Sequence, residues 1–199
     1  MERPKKRQGF SDSLRYVDDF VTELVEDDKG RTRKKTTYIG TWQVLREPGA
    51  KTLWMLIGAA AMSLASAGCV MTALLLPHAG AGDYPVMVPH LISLFPFLYQ
   101  LMGAASLPYR QKPMRRDQYM HGFIRMQRSA VAILAMTAVG MLAAPVLRLI
   151  RSDWLFLKGD VFYFVLTAAA LLFEGGVLWI LGRIETAERP NGFYKPEAM

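Results

Sequence analysis

Charge is segregated along this chain, and that segregation constrains its fold more than any motif does. No Asp, Glu, Lys or Arg occurs between Leu53 and Asp83, from Tyr84 to Tyr109 or from Ser129 to Leu147, and Glu174 alone interrupts the run from Val161 to Gly182. The 199 residues together are 21% charged and 52% hydrophobic, averages that would suit a soluble domain, so the information lies in the distribution. A bilayer's hydrocarbon core takes roughly 20 consecutive apolar residues per helical span. Four such runs predict an all-α membrane protein, a four-helix transmembrane bundle with spans near 53–76, 84–107, 129–147 and 161–182. A cytoplasmic segment, 1–52, precedes the bundle, a basic cytoplasmic loop, 108–128, divides it, and a cytoplasmic tail, 183–199, follows.

The link from Pro77 to Asp83 (PHAGAGD) is rich in turn formers and admits only an antiparallel hairpin between the first two spans. Pro85, Pro89 and Pro96 leave carbonyls of the second span without donors, which predicts a bent helix. A removable secretory signal places its apolar segment near the start of a chain, whereas here a long polar segment comes first, so the first span is expected to be retained. Cys69 is the single cysteine, which excludes an intrachain disulfide and any multi-cysteine metal site.

Orientation follows from Lys and Arg. Twelve precede the first span, none lies in the first link, six lie in the second loop with the start of the third span, three lie in the third link and three in the tail. The positive-inside rule then places both termini in the cytoplasm, and the expected location is a bacterial plasma membrane. Trp54, Tyr109 and Trp179 fall near the expected inner ends, and Tyr84, Trp154 and Phe162 near the outer ones, as an interfacial aromatic belt requires.

Residues 1–9 are basic and lack an apolar pattern, which suits an arm drawn to the anionic inner leaflet. Phe10, Leu14, Val17, Val21 and Leu24 recur at spacings of four and three, a helical pattern opened by Ser11. The stretch Phe20 to Glu26, the turn signal Asp27 to Gly30 and the Thr-rich run Arg31 to Ile39 read instead as a β-hairpin. The expectation is a short helix followed by that hairpin, with Glu23, Glu26, Asp27 and Asp28 facing Arg31, Arg33, Lys34 and Lys35. In the loop 108–128, Arg110, Lys112, Arg115, Arg116, Arg125 and Arg128 alternate with aromatic residues and methionines. Such a segment fits an interfacial helix on anionic lipid, although cytoplasmic loops also carry basic residues merely to fix topology. The nearer polyanion is the membrane, so no nucleic acid is expected as a partner.

Glu174 is the one formally charged side chain well inside an expected span. An intramembrane carboxylate is costly and therefore a candidate functional group. Counted from the expected inner ends, Glu174, Gln100, Thr137 and Ser63 all fall about 10–15 Å deep, and could form one polar layer in which a protonated Glu174 donates to Gln100 or Tyr99. The functional reading is a proton- or cation-binding group, with Gly175 and Gly176 letting a helix or ligand approach. The structural reading is a hydrogen-bonded clamp between helices, worth about 0.6–2 kcal/mol. The second is favoured, because proton relays normally show a chain of such groups.

Gly58, Ala61, Ala65, Gly68 and Thr72 form a small-residue seam along the first span, and Ala132, Gly140 and Ala144 do so on the third, as helix packing requires. His78 and His90 stand apart from His121, which lies on the other side, so no metal site is expected. The chain carries no Gly-x-Ser-x-Gly elbow, His-Glu-x-x-His, Cys-x-x-Cys or glycine-rich phosphate loop, and neither catalysis nor a cofactor is expected. Two functional classes remain: a non-catalytic accessory or assembly subunit bound to a membrane-protein partner or to further copies of itself, or an oligomeric small transporter or channel using Glu174. The two hairpins of spans do not match in sequence, which argues against a transporter-type repeat.

Overall fold

The computed structural model describes residues 19–26, 32–78, 80–110, 112–151 and 158–190. The basic arm, the helical pattern from Phe10 to Val17, the turn Asp27 to Gly30 and Trp154 lie outside the described residues.

Among the described residues, four rods are long and apolar enough to cross a membrane. They are α1 (Ala50–Leu75), α2 (Tyr84–Ala105), a composite third rod and α5 (Lys158–Arg183). The third is built from α3 (Arg116–Tyr119), a π-helical turn (Met120–Ile124) and α4 (Arg125–Arg151). It starts at Arg116 rather than near Ser129, because Arg, Gln and Met are good helix formers and an uncharged run marks where lipid is expected, not where a helix must begin. The interfacial helix anticipated in 108–128 is therefore the continuation of this rod. Its Phe123 and Met126 are buried in the protein rather than turned outward. α2 runs as one helix through Pro89 and Pro96, and Pro85 occupies its first turn, where no donor is needed.

The rods form a ring in which α1 packs on α5, α5 on α4, α4 on α2 and α2 on α1. α2 and α5 thus face each other across the diagonal, and both run in the same direction. The distribution of polarity is the reverse of a soluble bundle. Leu64, Phe95, Leu98, Leu142 and Leu172 are exposed at mid-helix, Leu172 at 76%, while Ser63, Ser66, His90, Ser93, Gln100, Thr137, Thr167 and Glu174 are buried. Exposed apolar surface of that extent is incompatible with water and suits a multi-pass membrane protein.

At one end of the ring a three-stranded sheet gathers segments from three parts of the chain. β3 (Trp42–Leu45) lies between β4 (Met114–Arg115) and β5 (Thr186–Arg189), antiparallel to both, with Trp42 opposite Arg115 and Arg189. This sheet ties together the approach to α1, the α2–α3 turn and the exit from α5. Arg46 and Glu185 continue it with a backbone bond of 3.0 Å and an exposed ion pair of 2.5 Å. A separate hairpin, β1 (Phe20–Glu26) with β2 (Thr32–Tyr38), places Phe20 opposite Tyr38 and Glu23 opposite Lys35, so the strand reading holds for the residues from Phe20 onward. The Tyr38 hydroxyl fixes this hairpin to the third rod, donating to the Thr41 carbonyl at 2.6 Å and accepting from the Arg116 amide at 3.0 Å. Burial raises the Tyr38 phenol above its ordinary pKa, so it remains a donor at neutral pH.

Candidate functional site

The buried polar groups form two rungs across the α2–α5 diagonal. In the rung nearer the sheet, Gln100 Nε2 donates to Glu174 Oε2 at 2.6 Å, and both side chains are completely buried. Ser66 of α1 stands beside them, its hydroxyl donating to the Ala170 carbonyl at 3.3 Å. In the rung toward the opposite end, His90 Nε2 and the Tyr163 hydroxyl share a bond of 2.8 Å. The rungs are ten residues apart on α2 and eleven on α5, or about 15 Å along parallel helices. That near-equal spacing lets two straight rods hold both bonds at once. Between the rungs, buried Phe97 and Ala170 belong to one apolar cluster, which separates them.

Local chemistry explains the approach of the helices. A Cβ at Gly140 would lie 2.8 Å from His90 Nε2, so glycine is what lets α4 close onto the histidine ring. At the sheet end a Cβ at Gly103 would meet Met126 at 2.8 Å, and the π-turn residue Gly122 packs against the Ser106 carbonyl. These contacts set the antiparallel register of α2 with the third rod. They place Thr137 opposite Ile92 and Ser93, about two turns away from Gln100.

The expected single layer is therefore only partly assembled. Gln100 and Glu174 meet. Ser63 is buried, but its hydroxyl donates to its own helix at the Ala59 carbonyl, 2.9 Å away. Thr137 is buried at another level, because the third rod starts earlier than its uncharged run and shifts every depth counted from Ser129. Tyr99 is 58% exposed on the far side of α2, 100° from Gln100 around the helix, with the Arg125 guanidinium 5.6 Å from its ring. Of the two glycines beside Glu174, Gly176 admits the Met62 sulfur of α1, whereas Gly175 is open on the outside.

Sequence reasoning missed the histidine rung. His78 stacks on Tyr163 with centroids 4.4 Å apart, and its Nδ1 donates to the Leu76 carbonyl at 2.8 Å. The signal available was a Pro-flanked His at the helical spacing of Val86, His90, Ser93 and Phe97, all of which are buried. The same end holds two ion pairs. Arg148 and the almost wholly buried Asp160 meet at 2.5 Å, and Arg151 grips both oxygens of Asp83 at 2.9 and 2.7 Å. Asp160 also lies in the first turn of α5, where a negative charge opposes the helix dipole favourably.

Several buried atoms in this system lack hydrogen-bond partners: Glu174 Oε1, Gln100 Oε1, Thr137 Oγ1, His90 Nδ1 and His78 Nε2. No group of three or more His, Cys, Asp or Glu that could hold a metal occurs among the described residues. Cavities lie at the helix ends and on the sheet, away from Gln100 and Glu174. The basic loop is divided by the fold. Arg110, Lys112 and Arg125 line one of these cavities, Arg115 pairs with Asp117 at 3.6 Å and lies over the Phe20 and Tyr38 rings, and Arg116 and Arg128 are exposed elsewhere. No protein-family model, curated protein or solved structure matches the chain.

Proposed function

We propose that this chain is a four-span integral membrane protein with both termini in the cytoplasm, and that it serves as a non-catalytic accessory or assembly subunit. The observation that carries this reading is the closure of the Gln100–Glu174 pair, whose members bond each other at 2.6 Å with no exposure. A group that binds substrate or exchanges protons needs access, whereas a clamp does not. The outward face of α1 supports a partner: Ala61, Gly68 and Thr72 are exposed, and nothing lies within 4 Å of a Cβ placed at Gly68. Small residues at such spacing let another helix approach closely.

The orientation is supported by charge. The three segments joined by the sheet belong to the Lys- and Arg-rich side, while at the other end Arg148 and Arg151 are neutralised by Asp160 and Asp83. Pull-down in gentle detergent from the native membrane tests the reading. A stoichiometric membrane-protein partner, or a defined assembly of copies of this chain, is expected, and a monomer without companions overturns it.

A second reading, a proton- or cation-coupled transporter, is favoured by the unpartnered Oε1 atoms of Gln100 and Glu174. Glu174→Gln in proteoliposomes separates the two. Loss of a proton-dependent flux carried by the wild type supports transport, and absence of any flux in the wild type leaves the clamp.

A further inference from the structure

The chain leaves α2 at Ala105, turns through Ser106 to Pro113 and enters the third rod, and a cavity of about 770 Å³ lies between this turn and the start of the rod. Its volume is that of a small-molecule site. Arg110 and Lys112 approach from the turn, and His121 and Arg125 from the helix. Among the described residues no Asp or Glu lines it, and none of Arg110, Lys112 and Arg125 is ion-paired to an acid. The cavity between α1 and the end of α5 differs, since Glu47 and Glu185 there accompany Lys51 and Arg183.

The donor set is specific. Arg125 Nη2 lies 2.7 Å from His121 Nδ1, and a guanidinium can only donate, so His121 Nδ1 accepts and its proton resides on Nε2. Both side chains therefore offer N–H groups. Beneath them the cavity is apolar, with Leu107 and Met114 buried and Pro108 and Pro113 beside them. The turn is held from several sides. The Tyr109 hydroxyl donates to the Ala104 carbonyl at 2.8 Å, the Leu107 amide reaches the same carbonyl at 3.2 Å, and Met114 is paired with Gln43 in the sheet.

We infer that this cavity binds the phosphate of an anionic phospholipid headgroup, held between Arg110 and Lys112 on one side and His121 and Arg125 on the other, with the first methylenes of an acyl chain against Leu107 and Met114. The inference rests on the reading of the four rods as membrane spans. The cavity opens directly beyond the last turn of α2, the depth at which a spanning helix meets the phosphates. A cationic rim over an apolar floor matches an amphiphile better than free phosphate, which offers nothing to the floor.

Native mass spectrometry of the full chain, exchanged from detergent into nanodiscs of phosphatidylcholine with graded phosphatidylglycerol, tests this. One phosphatidylglycerol is expected to be retained in preference to phosphatidylcholine. The variant Arg110→Ala/Lys112→Ala/Arg125→Ala is expected to lose about a hundredfold in that preference. The control Arg116→Ala/Arg128→Ala removes two exposed arginines of the same loop and is expected to keep it. Equal loss in both variants means diffuse attraction to the surface and overturns the site. Displacement of the lipid by millimolar inorganic phosphate overturns the lipid as its occupant. If the triple variant still fractionates with membranes and captures the same partner yet shows unchanged lipid preference, this inference fails while the proposed function stands.

Discussion

Glu174 and Gln100 meet at 2.6 Å across the diagonal of the helix ring, and the parallel course of α2 and α5 carries a second contact, His90 to Tyr163 at 2.8 Å, about 15 Å further along. Two helices that are not neighbours in the ring are thus joined by side chains. In a bundle whose exterior is as apolar as lipid, such bonds and close packing rather than hydrophobic burial hold one helix to another.

Removing the donor and replacing the acid have different consequences. Gln100→Leu leaves the Glu174 carboxyl buried without its partner and is expected to lower stability by about 1–3 kcal/mol. Glu174→Gln keeps an acceptor of the same shape facing Gln100 and is expected to lose less. Denaturant unfolding in detergent micelles reads both. An equal loss in the two variants contradicts the assignment of Gln100 as donor to Glu174.

Gly140 and His90 form a coupled pair. Gly140→Ala places a methyl 2.8 Å from a ring that Tyr163 holds in position, and is expected to destabilise by roughly 1–3 kcal/mol. In a His90→Ala background the same change meets no ring and is expected to be nearly neutral, a coupling visible in a double-mutant cycle. Gly175→Ala, with open space around it, serves as the control. Additive losses show that the helices are spaced by something other than this contact.

The Arg148–Asp160 pair is buried on both sides, with side-chain exposures of 12% and 2%. Arg148→Ala removes the cation facing the buried aspartate and is expected to lower stability by about 3–5 kcal/mol, whereas Arg148→Met with Asp160→Leu removes both charges and is expected to recover most of it. Heat-induced aggregation in detergent ranks the three proteins. A double variant no better than the single one means that a further group depends on Asp160.

The orientation has a direct measurement. In a Cys69→Ala background, Gly82→Cys on the exposed link between α1 and α2 is expected to react with a membrane-impermeant maleimide in intact cells. Lys112→Cys is expected to react only after permeabilisation. The opposite pattern inverts the topology and removes the lipid-headgroup cavity from the inner leaflet.

The number of rods and the approximate extent of three of them were written in the sequence, because a run without charge long enough to cross hydrocarbon is a one-dimensional property. The strands from Phe20 to Glu26 and from Thr32 to Tyr38 were legible for a similar reason, since alternation and a turn signal are local. Glu174 stood out by its cost alone, and Gln100 by depth. What no local pattern held was rotation about each helix axis and the register between helices. Those decided that Tyr99 faces outward while its neighbour Gln100 faces in, that Thr137 sits a turn or more from the level counted for it, and that His78, His90 and Tyr163 converge. They also decided that strands as short as Met114–Arg115 and Thr186–Arg189 close a sheet on Trp42–Leu45. Pairings between residues 70 or more positions apart depend on packing of whole elements, and only the assembled ring specifies them.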